Sequence, residues 1–219
     1  MPEIDAKTRE SIQTAIRFSE AGKYPESIQV LEKGLSKKPD SSLLHMTLGN
    51  VYAQMGNWQK SLYHYLLCVQ LDPTEQANLR NQIGLAYFNL GEFNSAIAEL
   101  KYGVANDPGN LGRWFLAVCY HKTGCLQEAF NEYKILLTSY QGLNLAITHC
   151  MIADLYRTKG QVDDAIIELK KGLSIAPNMG EAHDWLGKCY EQKGLMDESK
   201  SEYQIAKKLG YNASEISKR

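Results

Sequence analysis

A sequence pattern that recurs about every 34 residues constrains this chain more than any other feature. Its clearest copy begins at Ala77 and reads ANLRNQIGLAYFNL, followed by GEFNSAIAELKYGVANDPGN. Counted from Ala77, small, aromatic or helix-ending residues stand at positions 8, 11, 15, 17, 20, 27 and 32: Gly84, Tyr87, Gly91, Phe93, Ala96, Gly103 and Pro108. A fixed period of this length is typical of a repeat architecture.

The same offsets recur in six copies, which predict a single array over residues 8–210. A lead-in (1–7) precedes the array and a short tail (211–219) follows it; the repeats are 8–41, 42–76, 77–109, 110–145, 146–179 and 180–210. Position 8 advances in steps of 34, 35, 33, 36 and 34 residues. The step of 36 places two extra residues near Ser139–Asn144, where we expect a longer or bent corner.

Each recurring position has a physical reason. Positions 8 and 20 hold Gly, Ala or Ser in all six copies, which allows two antiparallel helices to approach closely. The aromatic residue at position 11 fills the space that those small residues leave. Glycine at position 15 is suited to a left-handed helix end, and proline at position 32 prevents the second helix from continuing. The pattern predicts stacked αα-hairpins, since one hairpin cannot bury its apolar face alone.

These motifs resemble the tetratricopeptide repeat family over almost the whole chain. The resemblance implies an all-α fold, a right-handed superhelical solenoid of six antiparallel helix–turn–helix hairpins. In that family the first helix of each hairpin lines a concave groove, mainly through positions 2, 5, 6, 9, 12 and 13. Helical periodicity supports this only in showing that these positions share one face.

The groove positions contain two groups of candidate binding residues. The first is a cluster of side-chain amides, which both donate and accept hydrogen bonds and could pair with a peptide backbone: Asn50, Gln54, Asn78, Asn81, Gln82 and Asn89. The alternative is that these amides only face water or cap turns. The second is an apolar group that could anchor a partner: Leu85, Phe88, Trp114 and Phe115. One of Trp114 and Phe115 could instead pack between repeats, because adjacent helical residues point about 100° apart.

The remaining candidates on this face are His121, Arg157, Trp185 and Lys188. Arg157 and Lys188 belong to a rim of mixed charge that also includes Asp154 and Asp184. Such a rim is more often a solvated face than a determinant of binding.

The sequence indicates neither catalysis nor a cofactor or metal. His45, His149 and His183 all stand at position 4 of their repeats, which would hold them too far apart for one metal ion. Cys119 and Cys125 lack the further ligands of a zinc site. No nucleophile, base and orienting group fall in plausible proximity. We therefore expect a non-enzymatic protein.

Composition bounds the partners and the compartment. With 24 Lys plus Arg against 25 Asp plus Glu, the net charge of −1 gives no support to a nucleic-acid partner. The chain has no run of about 18 apolar residues that could cross a bilayer, and its start is too polar for a secretory signal peptide. Five cysteines without metal-type spacing favour a reducing, cytoplasmic location.

Two functions follow from the resemblance. The first is a protein–protein interaction scaffold or adaptor that binds a peptide or protein segment in the groove. The alternative is a self-assembling structural scaffold, a homo-oligomer that could lie at a membrane surface. This alternative rests on the last helix, where Ile205 and Leu209 would border an apolar flank unless the short tail folds back over it. The sixth repeat, PNMGEAHDWLGKCYEQKG, also loosely resembles the C-terminal repeat of magnetosome-associated scaffolds.

Overall fold

The chain folds into a succession of α-helices joined by short turns. The structure, a computed structural model, describes residues 5–106 and 110–211; the side chains of residues 76–78 and 110 lie outside the described part. Over these ranges there is no strand, one 3₁₀ helix (Pro73–Glu75), and twelve α-helices: α1 (Ala6–Glu20), α2 (Tyr24–Leu35), α3 (Ser42–Gln54), α4 (Trp58–Leu71), α5 (Gln76–Asn89), α6 (Phe93–Asn106), α7 (Asn110–Lys122), α8 (Leu126–Ser139), α9 (Gly142–Thr158), α10 (Val162–Ile175), α11 (Gly180–Gln192) and α12 (Met196–Lys208). The predicted all-α repeat fold is confirmed.

The helices form two compact units, the first ending at Thr123 and the second beginning at Gly124. In the first unit each helix from α1 to α7 packs against the next, and α5 also contacts α7 directly. In the second unit α8 to α12 pack in the same sequential manner. Over its described residues, each unit is therefore built mainly from helices that are neighbours in the sequence.

Small residues at positions 8 and 20 bring the two helices of a hairpin together, as the sequence predicts. A Cβ atom added at Gly49 would lie 2.5 Å from the ring of Tyr65 on the facing helix. In the first hairpin Ala15 and Ser27 are fully buried, and the Ser27 hydroxyl donates a hydrogen bond to the Ala15 carbonyl at 2.7 Å. A buried hydroxyl that is satisfied in this way adds no desolvation penalty.

Glycine ends the first helix of each repeat in a left-handed turn. All six position-15 glycines have φ between 71° and 78°: Gly22, Gly56, Gly91, Gly124, Gly160 and Gly194. At the third corner, the Glu92 amide donates to the Tyr87 carbonyl at 2.9 Å, which satisfies an end carbonyl of α5. The prediction for position 15 is therefore confirmed.

The expected longer corner near Ser139–Asn144 is wrong. Only Tyr140 and Gln141 separate α8 from α9, and the extra residues lengthen α9 to 17 residues. The amide of Tyr140 still closes α8 on Leu136, and Gly142, at φ 55°, reverses the chain within two residues. Since no proline stands at this corner, the remaining residues continue as helix.

The described chain begins at Asp5 and ends at Tyr211. Asp5 caps α1 by accepting hydrogen bonds from the Thr8 amide and hydroxyl, at 2.9 and 2.8 Å. The expectations for Met1–Ile4, Pro108 and the tail beyond Tyr211 lie outside the described residues. Of the helices that the structure does describe, none is both long and apolar enough to cross a membrane.

Candidate functional site

Two phenylalanines connect α5 and α7, which are the first helices of the third and fourth repeats. The rings of Phe88 and Phe115 meet edge to face with centroids 5.0 Å apart, and Phe93 contacts Phe88 at 5.9 Å. Phe88 and Phe115 are half-buried, resting on a core that includes Leu100 and Leu116. The structure thus brings together two predicted apolar anchors and leaves part of each ring accessible.

The other predicted residues of α5 and α7 surround this pair to different extents. Leu85 and Trp114 are half-buried, while Gln82 and Asn89 are exposed on α5. His121, near the end of α7, is half-buried. Gln82, Leu85 and Asn89 follow one another at helical spacing and share a face of α5.

The amides of the predicted cluster are not equivalent. Asn50 is exposed on α3 and its carbonyl oxygen accepts a hydrogen bond from the Tyr65 hydroxyl at 2.8 Å. Asn89 donates its amide to the Leu85 carbonyl at 2.8 Å. Gln54 is exposed at the end of α3, and the side chain of Asn78 lies outside the described residues.

Asn81 is turned toward the interior. Its Oδ1 atom is buried and has no hydrogen-bond partner among the described residues. Cβ atoms added at Gly103 and Gly112 would lie 2.1 and 2.7 Å from this oxygen, so the amide occupies the seam between α6 and α7. Asn81 therefore differs from Gln82, which faces outward from the same helix.

The predicted residues of the second unit are already compensated by neighbours. Arg157 pairs with Asp154 at 2.6 Å, and Lys188 pairs with the buried Asp184 at 2.7 Å. Trp185 is half-buried against the core of the unit. Glu181 lies on α11, as Asp184 does. Burial and the nearby carboxylates of Asp154 and Asp184 raise the pKa of Glu181. This surface is charged but internally paired.

Sequence reasoning missed a polar pair that recurs between positions 4 and 23 of the repeats. His149 and Glu168 lie 2.6 Å apart, and so do His183 and Glu202. Arg80 and Glu99 form the corresponding ion pair of the third repeat. The sequence did contain a signal for these pairs: a basic residue is followed 19 residues later by a glutamate, a spacing that connects the two helices of one hairpin.

The buried cysteines behave as core residues. Burial raises the pKa of Cys68 and Cys119 to about 11 and that of Cys150 to about 12, which disfavours the reactive thiolate. In the part of the chain that the structure covers, no three His, Cys, Asp or Glu side chains are grouped to hold a metal ion.

Models of one repeat family match three stretches of the chain. Tetratricopeptide repeat models match residues 42–75, 81–143 and 146–179, which together exceed half of its length. The BBSome complex member BBS4 of Bos taurus is 28% identical over 66% of this chain and 27% of its own length. The chain spans between 14% and 27% of the length of the curated relatives it matches.

Solved structures share the fold. PilW, a type IV pilus biogenesis factor, superimposes with a TM-score of 0.74 over 96% of this chain and 97% of its own, at 17% identity. MamA superimposes with a TM-score of 0.65 over 77% of this chain and 91% of its own, at 23% identity. The repeat matches and the complex-forming relative support a protein-interaction scaffold as the general class of function, and proteins with these repeats are generally non-enzymatic.

Proposed function

This chain belongs to the tetratricopeptide repeat family, and from that premise we propose that it is an adaptor that binds an extended peptide or protein segment. The segment lies on the first helices of the hairpins, in the concave groove that the family resemblance implies. The observation that carries the proposal is the contact between Phe88 and Phe115, whose half-buried rings meet across α5 and α7. Aromatic side chains in such positions commonly anchor an interface.

Two amides of the predicted cluster each make one hydrogen bond within the protein. Asn50 accepts one from the Tyr65 hydroxyl, so both N–H groups of its amide remain to donate to a partner. Asn89 donates one N–H to the Leu85 carbonyl, so its other N–H and its own carbonyl remain for a partner. A peptide backbone offers both carbonyls and amides, which supports an extended segment as the ligand.

Not every predicted residue contributes equally to this proposal. Gln54, Gln82, Trp114 and His121 extend the surface on either side of the two rings. Asn81 does not present its oxygen to this surface, because that atom is buried in the seam between α6 and α7. Arg157, Trp185 and Lys188 form a second contact area, in which the existing ion pairs reduce the gain from a charged partner.

We test the proposal by selecting peptides from a random displayed library against the purified protein and measuring their affinity in solution. The variant Gln82→Ala/Asn89→Ala removes two exposed amides from α5. The control Gln127→Ala/Asn131→Ala removes two exposed amides from α8, which bond to each other at 3.2 Å. We expect at least a tenfold loss of affinity, about 1.4 kcal/mol, in the first variant alone. Equal affinity for both variants, or no selected peptide, contradicts the proposal.

A cytoplasmic location is part of the same proposal. All five cysteines are free thiols in the structure, which supports a reducing compartment. Fluorescence microscopy of the tagged protein in its native cells tests this point, and an extracytoplasmic signal contradicts it.

Self-assembly is the second candidate function, favoured by apolar side chains on and beside α12. Leu195 is 37% exposed, Met196 is 53% exposed and Leu209 is 39% exposed. Light scattering over a hundredfold range of concentration distinguishes the two candidates. An assembly that Met196→Lys dissolves supports the second, whereas a strictly monomeric protein eliminates it.

A further inference from the structure

The second hairpin departs from the polar pair that three other hairpins carry at positions 4 and 23. In the third, fifth and sixth repeats a basic side chain on the first helix meets a glutamate on the second. In the sequence, position 23 is glutamate in every repeat from the third to the sixth: Glu99, Glu132, Glu168 and Glu202. In the second repeat, His45 meets His64, with their Nδ1 atoms 3.1 Å apart.

The hydrogen bonds assign the protons of this imidazole pair. His45 Nε2 lies 3.3 Å from the carbonyl of Pro39, which can only accept, so His45 carries its proton on Nε2. Its Nδ1 is then an acceptor. While both rings are neutral, His64 therefore donates its Nδ1 proton across the 3.1 Å contact and ties α4 to α3.

A single added proton leaves one N–H donor and one lone pair between the two Nδ1 atoms, so the hydrogen bond survives; a second proton leaves two N–H donors facing each other, and the bond is lost. A proton added to His64 would go to Nε2 and place a charge beside a nearly buried ring, since His45 is only 8% exposed. In the sixth repeat both nitrogens of His183 face acceptors instead, the Pro177 carbonyl and the Glu202 carboxylate.

The groups that contact or act on His64 are aromatic or basic. Tyr52 of α3 stacks on His64 with centroids 5.5 Å apart, and Tyr63 of α4 meets its edge at 5.1 Å. The charged group acting on His64 is Lys60, one turn earlier on α4. Within the described chain, no carboxylate of α1, α2 or α5, the other helices packed on this hairpin, forms an ion pair with either ring.

We propose that the His45–His64 pair makes the second hairpin an acid-sensitive element, closed while one of the two facing nitrogens can still accept and loosened when both rings are protonated. Burial, His45 and Lys60 lower the pKa of His64 to about 4 from its ordinary 6.5. A lowered pKa in the folded state means that the unfolded chain binds the proton more readily below 6.5. The contribution of the pair to stability is therefore complete above pH 6.5 and is lost as pH falls toward 4.

Loosening would reach the candidate binding surface. The residue after His64 is Tyr65, whose hydroxyl holds the carbonyl of Asn50 on α3. If α4 moves away from α3, Asn50 loses its fixed orientation. Release of a bound segment in acid follows from this step and rests on the proposed function, whereas the acid-sensitivity of the hairpin does not.

The test compares urea denaturation at pH 7 and pH 5 for the wild type, His64→Gln and His64→Glu. We expect the midpoint of wild type to fall on acidification by about 0.5 M more than that of His64→Gln. His64→Glu restores the acid partner found in the other repeats and should fall least. Equal falls for wild type and His64→Gln overturn the proposal.

Two further measurements on the wild type keep the result independent of variant folding and of peptide binding. In an NMR titration of the five histidine rings, one ring that stays neutral below pH 5 supports the proposal. Titration of all five above pH 6 overturns it. Stoichiometric uptake of one Zn²⁺ that His64→Gln abolishes also overturns it, because the facing nitrogens would then serve to share a metal ion rather than a proton.

Discussion

Replacement of Gly49 by alanine tests whether position 8 is small because the helices require it. The new Cβ would lie 2.5 Å from Cδ1 and Cε1 of Tyr65, well inside the 3.5–4.0 Å at which carbon atoms attract. The Tyr65 ring has little freedom to move, being 3% exposed and hydrogen-bonded to Asn50. Overpacking of this kind costs about 1–3 kcal/mol, and the higher helix propensity of alanine offsets about 1 kcal/mol. We expect a net loss of about 0–2 kcal/mol.

The small net effect makes a double-mutant cycle the better measurement. In the first repeat the same two places hold Ala15 and Leu31, both fully buried, so alanine fits where leucine replaces tyrosine. In a Tyr65→Leu background, Gly49→Ala should therefore stabilise by about 1 kcal/mol. The coupling energy between the two sites should be about 1–3 kcal/mol.

Urea denaturation of wild type, both single variants and the double variant gives the four free energies of unfolding. Loss of the bond from Tyr65 to Asn50 is common to both Tyr65→Leu proteins and cancels in the cycle. A coupling energy below about 0.5 kcal/mol, the usual additivity error, would refute the reasoning. The helices would then be able to move apart to accommodate alanine, and close packing would not explain the small residue at position 8.

Three further predictions follow from the structure. An alkylating reagent at pH 8 should modify the half-buried Cys125 first, and mass spectrometry should find four cysteines protected until unfolding because they are buried: Cys68, Cys119, Cys150 and Cys189. Gly91→Ala should lower the free energy of unfolding by about 1 kcal/mol, since no side chain is near but φ is 78°; an unchanged urea midpoint would contradict this. Arg80→Met leaves Glu99 without its partner in a half-buried site and should destabilise by about 1–3 kcal/mol, whereas Arg80→Met/Glu99→Leu should recover most of the loss in the same assay.

The parts of the fold that sequence predicts are those decided by local chemistry. Gly91 needs a left-handed conformation, and Ala15 and Ser27 must be small, whatever lies farther along the chain. The corner at Tyr140 was mispredicted because inserted residues can lengthen either a turn or a helix. Which of the two occurs depends on where Gly142 reverses the chain, and residue types alone do not state it.

The candidate site is less predictable because each of its side chains has more than one possible contact partner. Asn81 and Gln82 are adjacent amides in the sequence, yet only Asn81 turns into the seam, where Gly103 and Gly112 leave room. The tie between Asn50 and Tyr65 spans two helices and 15 residues. Helical periodicity assigns a face to a residue, but it does not say which of its atoms is already occupied.

The polar pairs at positions 4 and 23 have a consequence for exchanging parts of this array. The second helices α6, α10 and α12 each present a glutamate to the basic residue of their own first helix, so at this position they are interchangeable. Helix α4 is not, because it would bring His64 against an arginine or a histidine that has lost its acid. Chimaeras that move the second hairpin as a whole preserve its pair, and those that move α4 alone create a mismatch. The hairpin, and not the helix, is the transferable module.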